Sequence, residues 1–399
     1  MTADRQSHLD ALRGIAGLVV VLVHFLSAFY PYSIFGLQGS YQQLQAWEDL
    51  FFYPPIGLIV AGNPAVCLFF ILSGYVLSYS HLGRSGRASR LIAAIIKRPI
   101  RLGGLVWATI IISALIWHLG WYFNSEVAGL SNSRPWFSFY WYGPFDFHGF
   151  LMDFFTSSFS RGWWYNAPLW TVEIELYGSI LVYLFLLLFC NLRYRWLLCL
   201  ALIIATSTSY YQGFWIGMMI ADLVKHQRLP VGTRVWLPLI LFALATFFAC
   251  DPHFVTPDFR STGTMYGFLP SDHGLDTGYS MLSATLLFLS VVMSVQLQRT
   301  LKHPILQYYG RISYALYVVH FIILGSLSSW MFLQIHQYLS YGTSFVIVFV
   351  VSVAIITGVA ELGTRWVDDP SIKISHYLER KISSWYKPIS RMVSRTPSA

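Results

Sequence analysis

Residues 8–29 read HLDALRGIAGLVVVLVHFLSAF. After Arg13 the stretch contains no charged side chain, and the only strongly polar ring in that part is His24. A helix rises about 1.5 Å per residue, so this segment is long enough to cross the hydrocarbon core of a bilayer, which is roughly 30 Å thick. The histidine and the lack of a small-residue cleavage site favour a retained span over a signal peptide. The segment therefore predicts the first of a series of membrane-spanning helices.

The composition of the chain indicates membrane-spanning helices along its full length. Of 399 residues, 56% are hydrophobic and 11% are charged, whereas about a quarter of the residues in a soluble domain are charged. The aromatic content of 18% is typical of helices whose ends lie at lipid interfaces. We predict an all-α, polytopic integral-membrane bundle of about ten transmembrane helices. The predicted spans are 12–30, 56–80, 99–118, 168–190, 196–209, 211–224, 235–250, 279–297, 309–332 and 343–364.

No internal repeat or linker divides the chain. We therefore predict one membrane domain over residues 1–371, followed by a basic cytoplasmic tail over residues 372–399. The tail mixes basic residues with Trp385 and Tyr386, a pattern that favours contact with membrane lipids at the inner leaflet.

The charges predict the orientation of the spans. With the N-terminus in the cytoplasm, 23 of the 26 lysines and arginines fall on the inner side, and only Arg134, Arg161 and Arg260 fall outside. Nine acidic residues lie in the predicted outer loops. This is the positive-inside distribution, and it places both termini in the cytoplasm. The net charge of +8 is then a consequence of topology and requires no nucleic-acid partner.

Two histidines are expected deep in the membrane, where an ionisable side chain is costly and indicates function. Arg13 and His24 are 11 residues apart, so they share one helix face, with His24 about 16 Å deeper and near the midplane. His320 follows Arg311 by nine residues and reaches a similar depth from the same side. A histidine at this depth can accept a proton from a hydroxyl. The alternative is a neutral histidine that only hydrogen-bonds neighbouring helices.

A basic cluster precedes the third span in the sequence IIKRPIRLGG, residues 95–104. Proline favours the first turn of a helix, so we expect Arg98 and Arg101 at a cytoplasmic helix N-terminus, which also attracts anions. Two arginines three residues apart can bind phosphates together. The alternative is that both are ordinary positive-inside anchors.

The fourth span and the loop before it contain further candidates. The segment NAPLWTVEIELYGSI, residues 166–180, places Glu175 inside the membrane, where it requires a basic partner or a substrate hydroxyl. A structural pairing and a catalytic role remain open. The aromatic loop over residues 119–167 suits stacking on sugar rings, and anchoring at the lipid interface explains it equally well.

Together these segments resemble the acyltransferase-3 family of integral-membrane, acyl-CoA-dependent O-acyltransferases, in their stand-alone form. The matching elements are Arg-x10-His at Arg13 and His24, the FFxLSGF-like AVCLFFILSGYVLS over 65–78, Arg-x-x-Arg at Arg98 and Arg101, PLWTVEIELYGS over 168–179, and GRISYALYVVH over 310–320. The closing element WVDDPS departs from the family, because Asp368 and Asp369 stand where a glutamate and a lysine usually precede the proline. That departure leaves the role of the closing element open.

The resemblance implies transfer of an acyl group, acetyl by default, from cytoplasmic acyl-CoA to a hydroxyl of a cell-surface carbohydrate or lipid-linked glycan. It also implies a multi-pass protein of the bacterial inner (plasma) membrane, with no metal and no permanently bound cofactor. The implied catalytic residues are His24, as general base, and Arg13. Arg98 and Arg101 would bind the phosphates of the CoA, and Glu175 or His320 would orient the base or the acceptor.

Other functions also fit ten helices with central ionisable groups. A transporter or flippase of a glycan or small solute is the main alternative. The unrelated membrane-bound O-acyltransferases also use a membrane histidine, and a purely structural subunit is the third possibility. Within the acyltransferase interpretation, direct attack of the acceptor and an acyl-histidine relay both remain open.

Overall fold

The computed structural model describes residues 7–36, 41–82, 87–156, 164–229, 235–252, 263–270 and 277–393, together with Gly232 and Arg260. The protein is 79% helical, and no β-strand occurs in these ranges. The predicted all-α class is therefore confirmed.

Eleven principal helices account for most of the described chain. They are α1 Ser7–Phe29, α2 Gly62–Tyr79, α3 Arg87–His118, α4 Trp170–Phe189, α5 Arg195–Ala205, α6 Tyr211–Lys225, α7 Trp236–Ala249, α8 Gly278–Met293, α9 Pro304–Ile323, α10 Tyr341–Gly363 and α11 Asp369–Val393. Short helices cover Tyr32–Phe35, Ala46–Phe52, Ile56–Val60, Asn124–Ser131, Arg134–Phe137, Phe147–Thr156, Ala167–Leu169, Val295–Thr300 and Ser329–Ile335. π-Helical turns at Leu324–Ser328 and Thr364–Asp368 continue α9 and α10 without a break.

Six helices in the described part of the chain are long and apolar enough to cross a membrane. They are Ser7–Phe29, Gly62–Tyr79, Ala88–His118, Ala167–Phe189, Pro304–Ile335 and Tyr341–Lys381. Three further apolar helices, α5, α7 and α8, are shorter. The protein is thus a helical integral-membrane protein.

The third predicted span begins earlier than the sequence indicates. Pro99 was expected to start a helix, but α3 begins at Arg87 and Pro99 lies inside it. Proline removes one helical hydrogen bond, so its tolerance requires other contacts. Here α3 packs along α11, and Lys97 forms an ion pair with Glu379. Arg98 and Arg101 therefore lie within a continuous helix, and the prediction of a helix N-terminus at these arginines is wrong.

Five helices form a closed ring around the centre of the bundle. In order around the ring these are α1, α2, α4, α3 and α9, each in contact with the next, and α9 closes the ring against α1. The helices α6, α8, α10 and α11 pack on the outside of this ring. The ring contains every residue that the sequence identified as a site candidate.

Close approach of α1 and α9 depends on two glycines. A Cβ atom on Gly14 would lie 2.5 Å from the backbone nitrogen of Gly310, and one on Gly310 would overlap the backbone oxygen of Asp10. Membrane helices commonly use small residues for such backbone contact. The contact places the second half of α1, with His24, beside the second half of α9, with His320.

We expect Gly14→Ala to destabilise the bundle by about 1–3 kcal/mol, because the added methyl forces α1 and α9 apart. Gly358→Ala is the matched control, since a Cβ atom on Gly358 would meet nothing within 4 Å. Thermal unfolding of both variants in detergent measures the difference. Equal melting temperatures for the two variants would show that the α1–α9 contact tolerates a side chain.

Candidate active site

Two cavities of the described structure meet inside the helix ring. The first, the histidine cavity, has a volume of about 440 Å³. It is lined by His24 and by Trp136 and Tyr140 of the predicted outer loop, residues 119–167. The second, the arginine cavity, has a volume of about 370 Å³ and is lined by Arg98 and Arg101. The first cavity therefore contains the imidazole of His24. The second contains four arginines and also four carboxylates, those of Asp10, Glu175, Asp368 and Asp369.

The cavities follow one another along the length of the helices. On α1, Arg13 lines the arginine cavity and His24 lines the histidine cavity, about 16 Å apart along the helix axis. On α2, which runs in the opposite direction, Asn63 lines the histidine cavity and Leu77 the arginine cavity. The shared face predicted for Arg13 and His24 thus spans both cavities.

The structure brings into contact the two membrane histidines that the sequence places at a similar depth. His24 Nδ1 lies 3.0 Å from His320 Nε2 and 3.0 Å from the carbonyl oxygen of Val20. His320 Nδ1 lies 3.2 Å from the carbonyl oxygen of Leu316. A carbonyl only accepts hydrogen bonds, so we assign the hydrogen of both rings to Nδ1. His320 Nε2 then accepts from His24, and Nε2 of His24 keeps its lone pair as the basic nitrogen.

Two aromatic rings also pack against His24. Trp136 stacks on the imidazole with ring centroids 5.9 Å apart and an angle of 18° between planes, and Phe321 meets it edge to face at 5.3 Å. The outer loop is held over the site by Asn124, whose amide donates to the carbonyl oxygens of Phe137 and Tyr140. The sequence identified this loop as aromatic but contained no signal for the contact with His24.

The arginine cavity contains a buried ion pair. Nη2 of Arg98 lies 2.5 Å from Oε1 of Glu175, and only 4% of Arg98 is exposed. Within the described residues, the buried Nε of Arg98 has no hydrogen-bond acceptor. Arg13 lies in the same cavity, 3.6 Å from Asp10. The three arginines predicted by the sequence thus line one cavity.

The two candidates for orienting the base occupy different positions. Glu175 pairs with Arg98 and lines the arginine cavity, which His24 does not line. His320 contacts His24 directly. His320 is therefore the candidate that touches His24, whereas Glu175 belongs to the other cavity.

The closing element also belongs to the arginine cavity. Asp368 and Asp369 line it, together with Thr364, whose buried hydroxyl has no hydrogen-bond partner among the described residues. The π-helical turn Thr364–Asp368 joins α10 to α11 at this point. Sequence comparison alone left this element without a role, because its acidic pair departs from the pattern of the related proteins.

The chain is similar to a known protein family over most of its length. The family described as an acyltransferase domain, acyltransferase-3, matches residues 7–361. The chain belongs to this family. As an acyltransferase-3 protein it is an O-acyltransferase, and the resemblance seen in its motifs is confirmed.

Three relatives of this acyltransferase-3 protein are fungal. The O-acetyltransferase PaAT-1 of Phomopsis amygdali is 28% identical over 371 positions, covering 80% of this chain and 72% of the relative. Acyltransferase R4 of Phoma sp. is 22% identical and covers 82% of this chain and 84% of its own. Acyltransferase clz18 of Cochliobolus lunatus is 22% identical, and the match covers 94% of this chain and 96% of the relative. No solved structure matches the chain.

Proposed function

We propose that this acyltransferase moves an acetyl group from acetyl-CoA in the arginine cavity to a hydroxyl of an acceptor in the histidine cavity. The observation that carries the proposal is that both cavities are lined by Val66 and Tyr317, with arginines in one cavity and His24, which contacts His320, in the other. Acetyl is favoured over a longer acyl group because one relative carries the name O-acetyltransferase.

The arginine cavity suits the phosphates of coenzyme A. Arg98 and Arg101 are three residues apart on α3, so both side chains extend from one helix face. The Nε of Arg98, which has no acceptor among the described residues, would donate to a phosphate oxygen. A guanidinium group can form two parallel hydrogen bonds to one phosphate. Coenzyme A acts as a donor substrate that enters and leaves, and no permanently bound cofactor is proposed.

His24 serves as the general base in this proposal. Its Nε2 accepts the proton of the acceptor hydroxyl while the hydroxyl oxygen bonds to the thioester carbon. The C–S bond then breaks, and the leaving thiolate takes the proton back from His24. His320 accepts the Nδ1 hydrogen of His24, which holds the reactive tautomer and stabilises the imidazolium while it exists, a role analogous to that of the acid in a hydrolytic triad.

We further propose that the acceptor is a carbohydrate or a lipid-linked glycan. The histidine cavity is walled by Trp136, Tyr140, Trp170 and Tyr210, whose flat faces suit the apolar faces of sugar rings. Asp251 adds a carboxylate to the same wall, and a carboxylate accepts hydrogen bonds from hydroxyls.

The proposed orientation has ten spans and both termini in the cytoplasm. The ten spans are the six long helices and the shorter α5, α6, α7 and α8. The orientation follows from the predicted excess of lysine and arginine on one side of the membrane. The arginine cavity then faces the cytoplasm, where acetyl-CoA is present. The fungal relatives do not favour a bacterial inner membrane over another membrane, and the orientation holds in either.

Reporter fusions should place residues 90 and 390 in the cytoplasm and residues 145 and 265 outside. The expectation follows from the location of 23 of the 26 basic residues on one side. Cysteine accessibility at the same positions is an independent measurement. An outside location for residue 90 would contradict the arrangement, because it would move the arginine cavity away from the cytoplasmic donor.

The proposed function is tested with purified protein in detergent, radiolabelled acetyl-CoA and a panel of hydroxyl acceptors. We expect release of free CoA that depends on the acceptor, with label recovered on the acceptor oxygen. Succinyl-CoA and longer acyl-CoA donors in parallel measure the donor preference. Acceptor binding without any CoA release would support transport instead, and would overturn acyl transfer between the two cavities.

A further inference from the structure

The wall between the two cavities contains one polar side chain. Of the described lining residues, Val66 and Tyr317 alone belong to both cavities. Val66 offers only methyl groups, so Tyr317 carries the hydrogen-bonding group of the wall. Its side chain is nearly buried, with 8% exposed, and its ring lies 5.8 Å from that of His320, one turn further along α9.

The position of the Tyr317 hydroxyl is fixed by Thr171 at the start of α4. The hydroxyl oxygen of Thr171 lies 3.0 Å from the phenol oxygen and 2.9 Å from the carbonyl oxygen of Pro168. A threonine hydroxyl has one hydrogen to donate. When Thr171 donates it to the phenol oxygen of Tyr317, the phenolic hydrogen is left for a third group at the wall between the cavities.

The position of the thioester follows from the two ends of the reaction. In the proposed function, the phosphates of the donor lie at Arg98 and Arg101, and the attacked carbon lies within about 3–3.5 Å of a hydroxyl that itself contacts His24. The thioester must therefore lie where the cavities meet, beside Val66 and Tyr317. Its carbonyl oxygen requires a hydrogen-bond donor there, because negative charge develops on it during attack.

We propose that Tyr317 is a further catalytic residue, which donates its phenolic hydrogen to the thioester carbonyl oxygen at the wall between the cavities. The inference rests on the proposed function. As the acceptor oxygen bonds to the carbon and its proton moves to His24, the carbonyl π electrons move to oxygen, which Tyr317 stabilises without giving up its proton. The carbonyl re-forms as the C–S bond breaks, and the thiolate leaves with the proton from His24.

The first test is Tyr317→Phe, which keeps the ring and removes the hydroxyl. We expect kcat to fall about 10²-fold, the scale of losing one oxyanion donor, while KM for acetyl-CoA is unchanged because the phosphates still bind the arginines. Tyr341→Phe is the matched control. This variant also removes a tyrosine hydroxyl, one that donates to the backbone carbonyl oxygen of Phe29. Tyr341 lines neither cavity, so kcat is expected to stay at the wild-type value.

The second test separates catalysis from structure. Difference infrared spectra of acetyl-CoA labelled with ¹³C at the carbonyl, bound without acceptor, report the hydrogen bond to that oxygen. We expect a carbonyl stretch at lower wavenumber in the wild type and in Tyr341→Phe than in Tyr317→Phe. The comparison is made with equal donor occupancy, measured by retained radiolabel.

The outcomes are distinct. A lower kcat together with loss of the band shift supports the proposal. Normal kcat in Tyr317→Phe, or a lower kcat with an unchanged band, would overturn it while acyl transfer by His24 stands. Failure of the wild type to bind acetyl-CoA or to transfer label would instead overturn the proposed function, and the role of Tyr317 with it.

Discussion

The His24→Ala variant is expected to turn over about 10²–10⁴-fold more slowly than the wild type, the range of a lost general base. Its affinity for acetyl-CoA should be unchanged, because His24 lines the histidine cavity and not the arginine cavity. His118→Ala is the control, since His118 is an exposed residue at the end of α3. Steady-state transfer with each variant, together with equilibrium binding of labelled acetyl-CoA, measures both quantities.

Rapid quench with radiolabelled acetyl-CoA and no acceptor then decides how His24 acts. Direct attack leaves no label on the protein, because His24 carries only a proton. Label trapped on His24 would replace direct transfer with an acyl-histidine relay. Wild-type turnover by His24→Ala would remove the histidine from the mechanism altogether.

The histidine pair could be predicted because helix geometry is regular. Counting residues from Arg13 to His24 and from Arg311 to His320 gives similar depths, about 16 Å and about 13 Å, without knowledge of the packing. The structure adds the distance of 3.0 Å between the rings, which depends on the contact between Gly14 and Gly310. No count of residues reveals that contact.

Other features of the site depend on segments that are distant in sequence, and the sequence reading missed them for that reason. Pro99 is tolerated inside α3, which packs along α11 and pairs Lys97 with Glu379, 282 residues later. Trp136 reaches His24 because Asn124 folds the outer loop back through two backbone carbonyls. Glu175 lies on α4, whereas its partner Arg98 lies on α3, 77 residues earlier in the chain. Local rules determine depth and face, whereas tertiary contacts determine the partners.

Loss of Arg98 should affect both stability and donor binding. Arg98→Ala leaves Glu175 as an unpaired charge inside the bundle, and breaking such a buried pair typically costs about 3–5 kcal/mol. The variant also loses the proposed phosphate contact, so we expect weak binding of acetyl-CoA and little thermal stabilisation by it. Arg98→Lys should restore only part of the binding, because lysine keeps the charge but loses the planar pair of donors. Thermal unfolding with and without acetyl-CoA measures these effects.

Glu175→Gln breaks the same ion pair from the other side and separates the two roles of Arg98. It too should be less stable than the wild type without ligand, but it retains the guanidinium of Arg98, which no longer has Glu175 as a competing anionic partner. We therefore expect acetyl-CoA to raise the melting temperature of Glu175→Gln by more than that of the wild type. A ligand that binds the folded state more tightly stabilises it more. Lys97→Ala is the matched control: it breaks the neighbouring pair with Glu379, which lies outside the cavity, so ligand stabilisation should be unchanged. Wild-type affinity for acetyl-CoA in Arg98→Ala would leave Arg98 a purely structural partner of Glu175 and place the donor phosphates elsewhere.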